Sequence, residues 1–509
     1  MQVEDQSAAR AFMADPATHG SDQPVEVIET HISVVFLTGA HAFKMKRAVH
    51  LPYADFSTPA IRLAACHKEF ALNHKVAPDL YLGVRRLTVG PQGLELDGEG
   101  EVIDAVVEMR RFDQDALFDR MAQRGELIPA LIRALAEQIA AAHARAEVAQ
   151  GEGGAANIAG VLDINRAGFT EGGMFAPAEV AAIDSAFRDG LARHAARLDA
   201  RAAAGAIRLC HGDLHLRNIC LWQGEPRLFD CIDFNDRLAT IDVLYDLAFM
   251  AMDLWHRGLR QQASLLVNHY MDRAGQEDGF ALLPFFTALR AAVRAHVIAT
   301  QAMGAPADQA GALAASARSY YDLALATLRV EAPRLVAIGG FSGSGKSTVA
   351  EALAPLIGAA PGARLIESDR ARKAMYGVTE ETRLPAEAYA PKVSEKVYGT
   401  MASRASALLR AGASVVADAV YDRPERRDGI ATAAQAVGAP FDGLWLEVPA
   451  EQLHARVAAR RGGVSDATPG VLQAQLERGA GRICWRPVDA GGPVETVVAA
   501  AAKALGVAG

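Results

Sequence analysis

Residues 335–348 read LVAIGGFSGSGKST, a short apolar, β-prone run that meets glycines and then opens into VAEALAPLIG, a helix-compatible stretch. Gly340 to Ser347 complete the spacing G-x-x-x-x-G-K-[ST]. Across Gly340, Ser342, Gly343, Ser344 and Gly345 the glycines let backbone N–H groups turn towards one point at a helix N-terminus, where phosphate oxygens can sit. Lys346 is placed to reach the β- and γ-phosphates, the Ser347 hydroxyl to hold Mg²⁺, and Thr348 follows in the same turn. ATP with Mg²⁺ is the expected occupant.

Downstream of this loop, RLIESDRARKAMY (364–376) reads as a strand ending at Ser368-Asp369-Arg370, with Arg372 and Lys373 after it. ASVVADAVYD (413–422) is a second buried-strand pattern and ends at Asp418. DGLWLEVP is a third, followed by HARVAARR, a helix pattern carrying Arg456, Arg460 and Arg461. This order resembles the small-molecule and polynucleotide kinase group of P-loop proteins. The resemblance implies a parallel α/β sheet, Asp369 accepting or orienting the acceptor hydroxyl's proton, and Asp418 near Mg²⁺ or its water shell. Lys346 would serve the transfer itself, and the arginines would cover the migrating phosphate, where developing charge needs cations. The plainer readings are that Asp369 is a helix N-cap and that Arg460 and Arg461 lie on a solvated helix face.

Upstream, GALAASARSYYDLALATLRV (311–330) reads as a helix and is followed by Glu331-Ala332-Pro333. Proline disfavours helix at the residue before it, so a domain boundary is expected near residue 332, giving domains of 1–332 and 333–509. The first of these begins with strand patterns (VEVIETHISVVFLTG and HAFKMKRAVHL) around a Gly39 turn. A helix over 59–76 follows, then the strands YLGVRRLTV, GLELDG and VIDAVVEMRRF. After about residue 115 the pattern is helical, apart from a β-like island at 207–234. AQGEGGAANIAG (149–160) reads as a flexible loop. No repeat period is visible.

The island holds a second constellation. In RLCHGDLHLRN (208–218), Asp213 and Asn218 stand five apart, the separation of catalytic base and metal ligand in H-R-D-x-x-x-x-N. A carboxylate must meet the acceptor hydroxyl while a carboxamide oxygen holds Mg²⁺ nearby, and a five-residue turn can bring both to one cleft. PRLFDCIDF then supplies Asp230 and Asp233. A zinc reading of His211 and His215 fails because a zincin needs H-E-x-x-H on a helix, whereas Gly212 occupies the second position. His211 is expected to bond nearby backbone, and Asp242 and Asp246 to brace the loop or cap the helix LYDLAFMAMDLW.

HGDLHLRN, LFDCIDF and IDVLYDLA together resemble the aminoglycoside phosphotransferase and choline kinase-like superfamily, over most of residues 25–330. The resemblance implies a bilobal protein-kinase-like fold, with Asp213 as catalytic base and Asn218 as metal ligand. Counted forward from Asn218, Asp230 fits the second metal carboxylate; counted back from Asp242, Asp233 does, and Asp230 is favoured. The same pattern wants a strand lysine on the nucleotide phosphates and a helix glutamate to hold it. Lys44 and Lys46 share one strand face, Lys44 leading, and Glu69 in CHKEFALN is the expected partner. VVEMRRF (106–112) would lie beside the adenine. Only Gly39 stands where a G-x-G-x-x-G loop would precede the lysine.

The whole chain is therefore expected to be α/β and α+β: a bilobal protein-kinase-like domain followed by a P-loop NTPase parallel α/β domain. The fusion resembles a bacterial group that joins a phosphotransferase-like domain to a P-loop kinase domain. Its 509 residues are 51% apolar and 22% charged, as ordinary globular cores require. A net charge of −8 supplies no global basic field for nucleic acid or anionic membrane. No uncharged apolar run approaches the roughly 18 residues that span a bilayer. Five scattered cysteines, without a C-x-x-C pair, suit a reducing cytoplasm. Nothing in the sequence fixes an oligomeric state. The leading expectation is a bifunctional ATP-dependent kinase acting on hydroxyl groups of small molecules. A polynucleotide or RNA-end kinase is the alternative, although no aromatic-interleaved basic strip marks a strand channel. A third possibility is that one domain senses ATP and regulates the other.

Overall fold

The first strands alternate apolar residues towards two different helices, and that alternation fixes the N-terminal architecture. The computed structural model describes residues 3–51, 54–149, 153–460 and 463–507. By contact density the chain divides into two compact units, residues 1–163 with 191–253, and residues 164–190 with 254–509.

In the first unit, β1 (Glu26–Glu29), β2 (Ser33–Thr38) and β3 (His41–Lys46) are followed by the short pair β4 (His50–Leu51) and β5 (Ala54–Asp55). Then come β6 (Tyr81–Gly90), β7 (Gly93–Leu96) and β8 (Glu101–Arg110). Six of these strands form one antiparallel sheet in the order β1-β2-β3-β8-β6-β7. On one face Val34, Phe36, Phe43, Met45, Leu87 and Val106 pack against Ala9 and Met13 of the helix Ser7–Ala14. On the other, Leu80, Tyr81, Ala105 and Val107 pack with Cys66 of the helix Pro59–His74. Thr58 caps that helix, its hydroxyl accepting from Ile61 N at 3.3 Å, and Pro59 starts it with a preset φ. Because side chains alternate along a strand, Phe43 and Met45 enter the first core while Lys44 and Lys46 face the second helix.

The unit continues with helices and two small antiparallel pairs. β9 (Ile207–Leu209) pairs with β12 (Thr240–Asp242), and β10 (Ile219–Trp222) with β11 (Glu225–Leu228). The β10–β11 hairpin turns on Gln223 and Gly224, both at positive φ (52° and 83°), as a two-residue turn matched to strand twist requires. The segments between β9 and β10, and between β11 and β12, carry all four polar positions expected for the metal and the acceptor.

The stretch 149–160 departs from its reading as a loop. A helix, Gly154–Glu171, begins inside it, while residues 150–152 lie outside the described set. Tertiary contacts override the glycine-rich composition. Ala155 N donates to Asp199 Oδ1 at 2.8 Å, and a Cβ at Gly154 would lie 2.1 Å from Leu198 O. Glycine there permits close approach of two helices rather than a loop.

The second unit is built on β13 (Leu335–Gly339), β14 (Arg364–Glu367), β15 (Val415–Asp418), β16 (Phe441–Glu447) and β17 (Arg486–Asp489). All are parallel, in the order β14-β15-β13-β16-β17. Every residue of β13 is buried, as a central strand covered on both faces demands. Val336, Ile338, Leu365, Val416, Leu444 and Leu446 form the core under the helices Lys346–Leu353 and Val494–Leu505. The C-terminal ends of β13, β14 and β15 converge, and in open α/β sheets ligands bind at that edge. The helices Leu283–Gly304 and Ala307–Thr327 belong to this unit. The first is apolar enough to cross a membrane by composition, yet it carries Arg290 and Arg294, and 78% of its apolar window is buried as core. Among the described residues, the side chains of Cys66, Cys210, Cys220 and Cys231 are buried and that of Cys484 is exposed.

Candidate active sites

In the first unit, Glu69 is fully buried and holds both strand lysines. Its Oε1 lies 2.8 Å from Lys44 Nζ and its Oε2 2.6 Å from Lys46 Nζ. Each lysine has a further carboxylate partner: Lys44 pairs with Asp230, and Lys46 Nζ lies 2.6 Å from Asp233 Oδ2. The two open choices of the sequence thus interlock as two chains through one glutamate, Lys44 with Asp230 and Lys46 with Asp233. Exposure separates them. Lys46 and Asp233 are buried, at 1% and 5%, whereas the Asp230 side chain is 43% exposed. Burial works against charge on Lys44, but Asp230 and Glu69 outweigh it and hold the ammonium well above its ordinary range. Glu69 is likewise disfavoured as an anion by burial, and the two lysines bring it down to about 2.

Asp213 follows β9 in a loop fixed from behind. Asp246, fully buried, accepts Gly212 N at 3.0 Å and His211 N at 3.2 Å, and pairs with His143 Nε2 at 3.2 Å. Gly212 sits at φ +82°, and a Cβ there would meet Ile232 Cδ1 at 2.9 Å, so both conformation and space require glycine. Asn218 Nδ2 donates to Asp213 O at 2.9 Å and to Asp213 Oδ2 at 3.0 Å. The amide orientation keeps its carboxamide oxygen as an acceptor for a cation. His211 Nε2 is 2.9 Å from Phe229 O, the backbone contact expected of it. Asp242 accepts Leu244 N at the start of the helix Val243–His256 and pairs bidentately with Arg201, so it caps while Asp246 braces.

Two residues join this arrangement without a local signal. Asn73 Oδ1 accepts Cys231 N at 2.9 Å while its Nδ2 donates to Glu69 O, and the Tyr81 hydroxyl accepts Asp230 N at 3.1 Å. Asp230 stands at φ +63°, a conformation that Asp tolerates better than most residues. Asn73 lies one helical turn after Glu69, which is the sequence clue available. Gly39, at φ +49°, turns β2 into β3 through a two-residue connection.

In the second unit, the loop between β13 and the helix Lys346–Leu353 holds Gly340, Gly343 and Gly345 at φ +148°, +88° and +87°. A Cβ on Gly343 would meet Val457 Cγ2 at 2.9 Å and Leu453 O at 3.0 Å, and one on Gly340 would meet Ser344 Oγ at 2.6 Å. The Ser344 hydroxyl is buried without a partner, an orphan that a phosphate oxygen would satisfy, so this loop fits the group its motif implies. Ser342 N donates to Gln475 Oε1 at 3.0 Å, a contact from a distant helix. Ser347 Oγ donates to Asp418 Oδ2 at 2.5 Å, joining the two residues expected at Mg²⁺. Thr348 is exposed on the same turn. Lys346 Nζ donates to Phe341 O at 3.2 Å. Burial lowers its pKa, with Asp418 and Asp369 pulling the other way. Burial also raises Asp418, against Lys346 and Ser347.

Asp369 is half-buried in the first turn of the helix Ser368–Met375. The N-cap position is Glu367, so the plain capping role does not apply to Asp369. Arg372 and Lys373 are committed to structure: Arg372 donates to Ala388 O over the Tyr389 ring, and Lys373 to Glu380 O. Arg456 is committed to backbone acceptors, donating to Ala490 O at 3.1 Å and Gly491 O at 3.4 Å. Arg460 lies past the end of the helix Ala450–Ala459 rather than on it, and its charge reaches Lys346. Arg461 lies outside the described residues.

Residues 56–284 match the model of the Phosphotransferase enzyme family, and residues 335–480 match an AAA domain model. The chain is 30% identical over 496 residues to the uncharacterized protein Rv2004c of Mycobacterium tuberculosis, covering 95% of this chain and 96% of that one. The same figures hold for the uncharacterized protein Mb2027c of Mycobacterium bovis. Among solved structures, a gluconokinase from Sinorhizobium meliloti 1021 is 25% identical with a TM-score of 0.25, over 35% of this chain and 93% of its own. A choline kinase from Cryptosporidium parvum is 10% identical with a TM-score of 0.39, over 60% and 88%. The chain is an enzyme, a kinase-type phosphotransferase that joins a phosphotransferase-family domain to a kinase-like AAA domain, and it belongs to the family of these mycobacterial proteins.

Proposed function

We propose that the protein is a bifunctional phosphotransferase that moves the γ-phosphate of ATP to hydroxyl groups of small molecules, with one reaction at each site. The observation that carries this reading is the repetition of one chemical set in each unit. The first combines Asp213 with Asn218, Asp230 and Lys44; the second combines Asp369 with Asp418, Ser347 and Lys346. In each, the aspartate would orient the attacking hydroxyl and receive its proton, while the lysine would hold phosphate oxygens. Mg²⁺, when bound by Asn218 with Asp230 or by Ser347 with Asp418, supplies charge neutralisation on the transferring group. Most of the acceleration would come from positioning.

Within this reading Asp233 and Lys46 support the first site, and Arg460 is the arginine available to the second. The chemical division falls near residue 332, with residues 1–332 and 333–509 carrying one site each. Four buried cysteines fit a cytoplasmic setting.

The test is transfer of label from γ-labelled ATP into a pooled small-alcohol library, by wild type, Lys346→Ala and Asp213→Asn. Two labelled small molecules, each lost in a different variant, are expected. Label found only in added oligonucleotide, and suppressed by salt, would replace this reading with end phosphorylation of nucleic acid. Bound ATP with no transfer to any acceptor would point to sensing.

A further inference from the structure

The helix Arg260–Ala274 precedes the expected boundary and lies within the phosphotransferase family match, yet it belongs to the same compact unit as the parallel sheet. Its contacts there are specific. β14 is an edge strand, with β15 as its only neighbour in the sheet among the described residues. Asn268 covers the open side as another strand would: its Oδ1 accepts Leu365 N at 2.8 Å, and its Nδ2 donates to Ala363 O at 3.1 Å. One turn on, Asp272 pairs with Arg364, a fully buried arginine at the start of β14 that also donates to Asn268 Oδ1 at 3.1 Å.

The second oxygen of Asp272 lies 3.7 Å from Arg370 NH1. Arg370 also holds Glu367 Oε2 at 2.9 Å and pairs with Glu380. Arg364 and Arg370 stand on either side of Ser368-Asp369, so one carboxylate grips both ends of the strand–turn that carries Asp369. Glu277 extends the boundary further out, with Arg404 NH2 at 2.5 Å, and lies 3.8 Å from Arg364.

We infer that Asp272 is a positioning residue of the P-loop site, acting through Arg364 and Arg370 to fix the turn that presents Asp369. A segment counted by sequence with the first domain thereby completes the catalytic geometry of the second. This rests on reading Asp369 as the carboxylate that meets the acceptor. Arg370 without Asp272 would keep Glu367 and Glu380, but the carboxylate that it shares with Arg364 would be lost. A displacement of the order of an ångström at a reacting group is enough to slow transfer severely.

The test uses the full chain with Asp213→Asn silencing the first site, and follows phosphate release from γ-labelled ATP with water as acceptor. Asp272→Asn should lower kcat about tenfold with ATP affinity within about twofold, and Asp272→Glu should recover part of the loss. Arg404→Gln loosens the same boundary at Glu277 without removing a contact of Asp272 or Arg370; it should lower the melting temperature while leaving kcat of the folded enzyme unchanged. An unchanged kcat in Asp272→Asn, or a fall matched by Arg404→Gln, overturns the positioning role. Asp369→Asn separates the two ideas. Full turnover in that variant overturns the reading of Asp369 and the clamp with it. Lost turnover there, with intact kcat in Asp272→Asn, overturns the clamp alone.

Discussion

The two units each aim a lysine at the place expected for ATP phosphates, and they treat that lysine in opposite ways. Lys44 is gripped by Glu69 and Asp230, and its ammonium is stabilised well beyond its ordinary range. Lys346 has a backbone carbonyl for a partner, and burial destabilises its charge. In the first unit the cation is a structural member of a carboxylate network before any ligand arrives. In the second only Asp418 and Asp369 offset the burial, and on the proposed reading bound phosphate would complete the compensation. On that reading the same residue type would carry fold stability at one site and binding energy at the other.

That contrast can be broken by a pair of substitutions. Lys346→Ala should remove P-loop-site turnover by about a thousandfold, since it deletes the principal cation from a phosphate cradle. It should leave the melting temperature equal or higher, because it removes a half-buried charge that its surroundings disfavour. Lys44→Met should abolish first-site turnover to a similar degree and lower the melting temperature, since Glu69 and Asp230 each lose a cation. Site-resolved ATP turnover and thermal unfolding of both variants decide the matter. Equal stability losses would mean that the two environments do not differ as the contacts indicate.

Lys46 sharpens the comparison within one unit. It is buried with Glu69 and Asp233, and its Nζ lies 5.3 Å from the Phe56 ring centroid. Lys46→Met leaves Asp233 buried without its cation, and breaking a buried pair typically costs about 3–5 kcal/mol. Urea unfolding should show a loss of this order, and Asp233→Asn in the same background should return part of it. If Asp233 were instead the metal carboxylate, Asp233→Asn alone would abolish Mg²⁺-dependent turnover, and Asp230→Asn would be mild.

What could be read from the sequence follows the reach of each interaction. The P-loop is contiguous, so its conformation and partners are set within a few residues, and Ser347 to Asp418 needed only the parallel order of β13 and β15. Asp213 and Asn218 were legible for the same reason. Lys44 and Lys46 could not be separated because alternate strand residues share a face, and here both do meet Glu69. Arg456 and Arg460 sit four apart on one pattern, yet helix register sends Arg456 to the carbonyls of Ala490 and Gly491, positions no local rule connects. Gly154 reads as loop until Leu198 presses against it from a helix more than forty residues away. Asn268 and Asp272 read as ordinary helix residues, because their partners on β14, Leu365 and Arg364, lie roughly ninety positions downstream.

The smallest effect is the one that titration would reveal. Lys346 has a lowered pKa in the free protein, so between that value and the ordinary lysine value of about 10.4 the unfolded chain binds more protons than the folded one. Stability of the second unit therefore rises with pH across that window, the reverse of a lysine that gains a salt bridge. Phosphate would favour the ammonium, so near and above the lowered value ATP binding there would draw in a proton, and affinity should weaken as pH passes that value. Lys44, held above its ordinary range by Asp230 and Glu69 against burial, stays charged over the same interval. Measured from about pH 7 to about pH 10, with Lys346→Ala isolating the first site and Lys44→Met the second, the second-site affinity should fall first while the first-site curve stays flat. Calorimetry in two buffers of different ionisation enthalpy should register the proton uptake at the second site. Curves that bend together would show that both lysines enter the binding reaction equally charged, and the difference in their surroundings would then have no consequence for ATP.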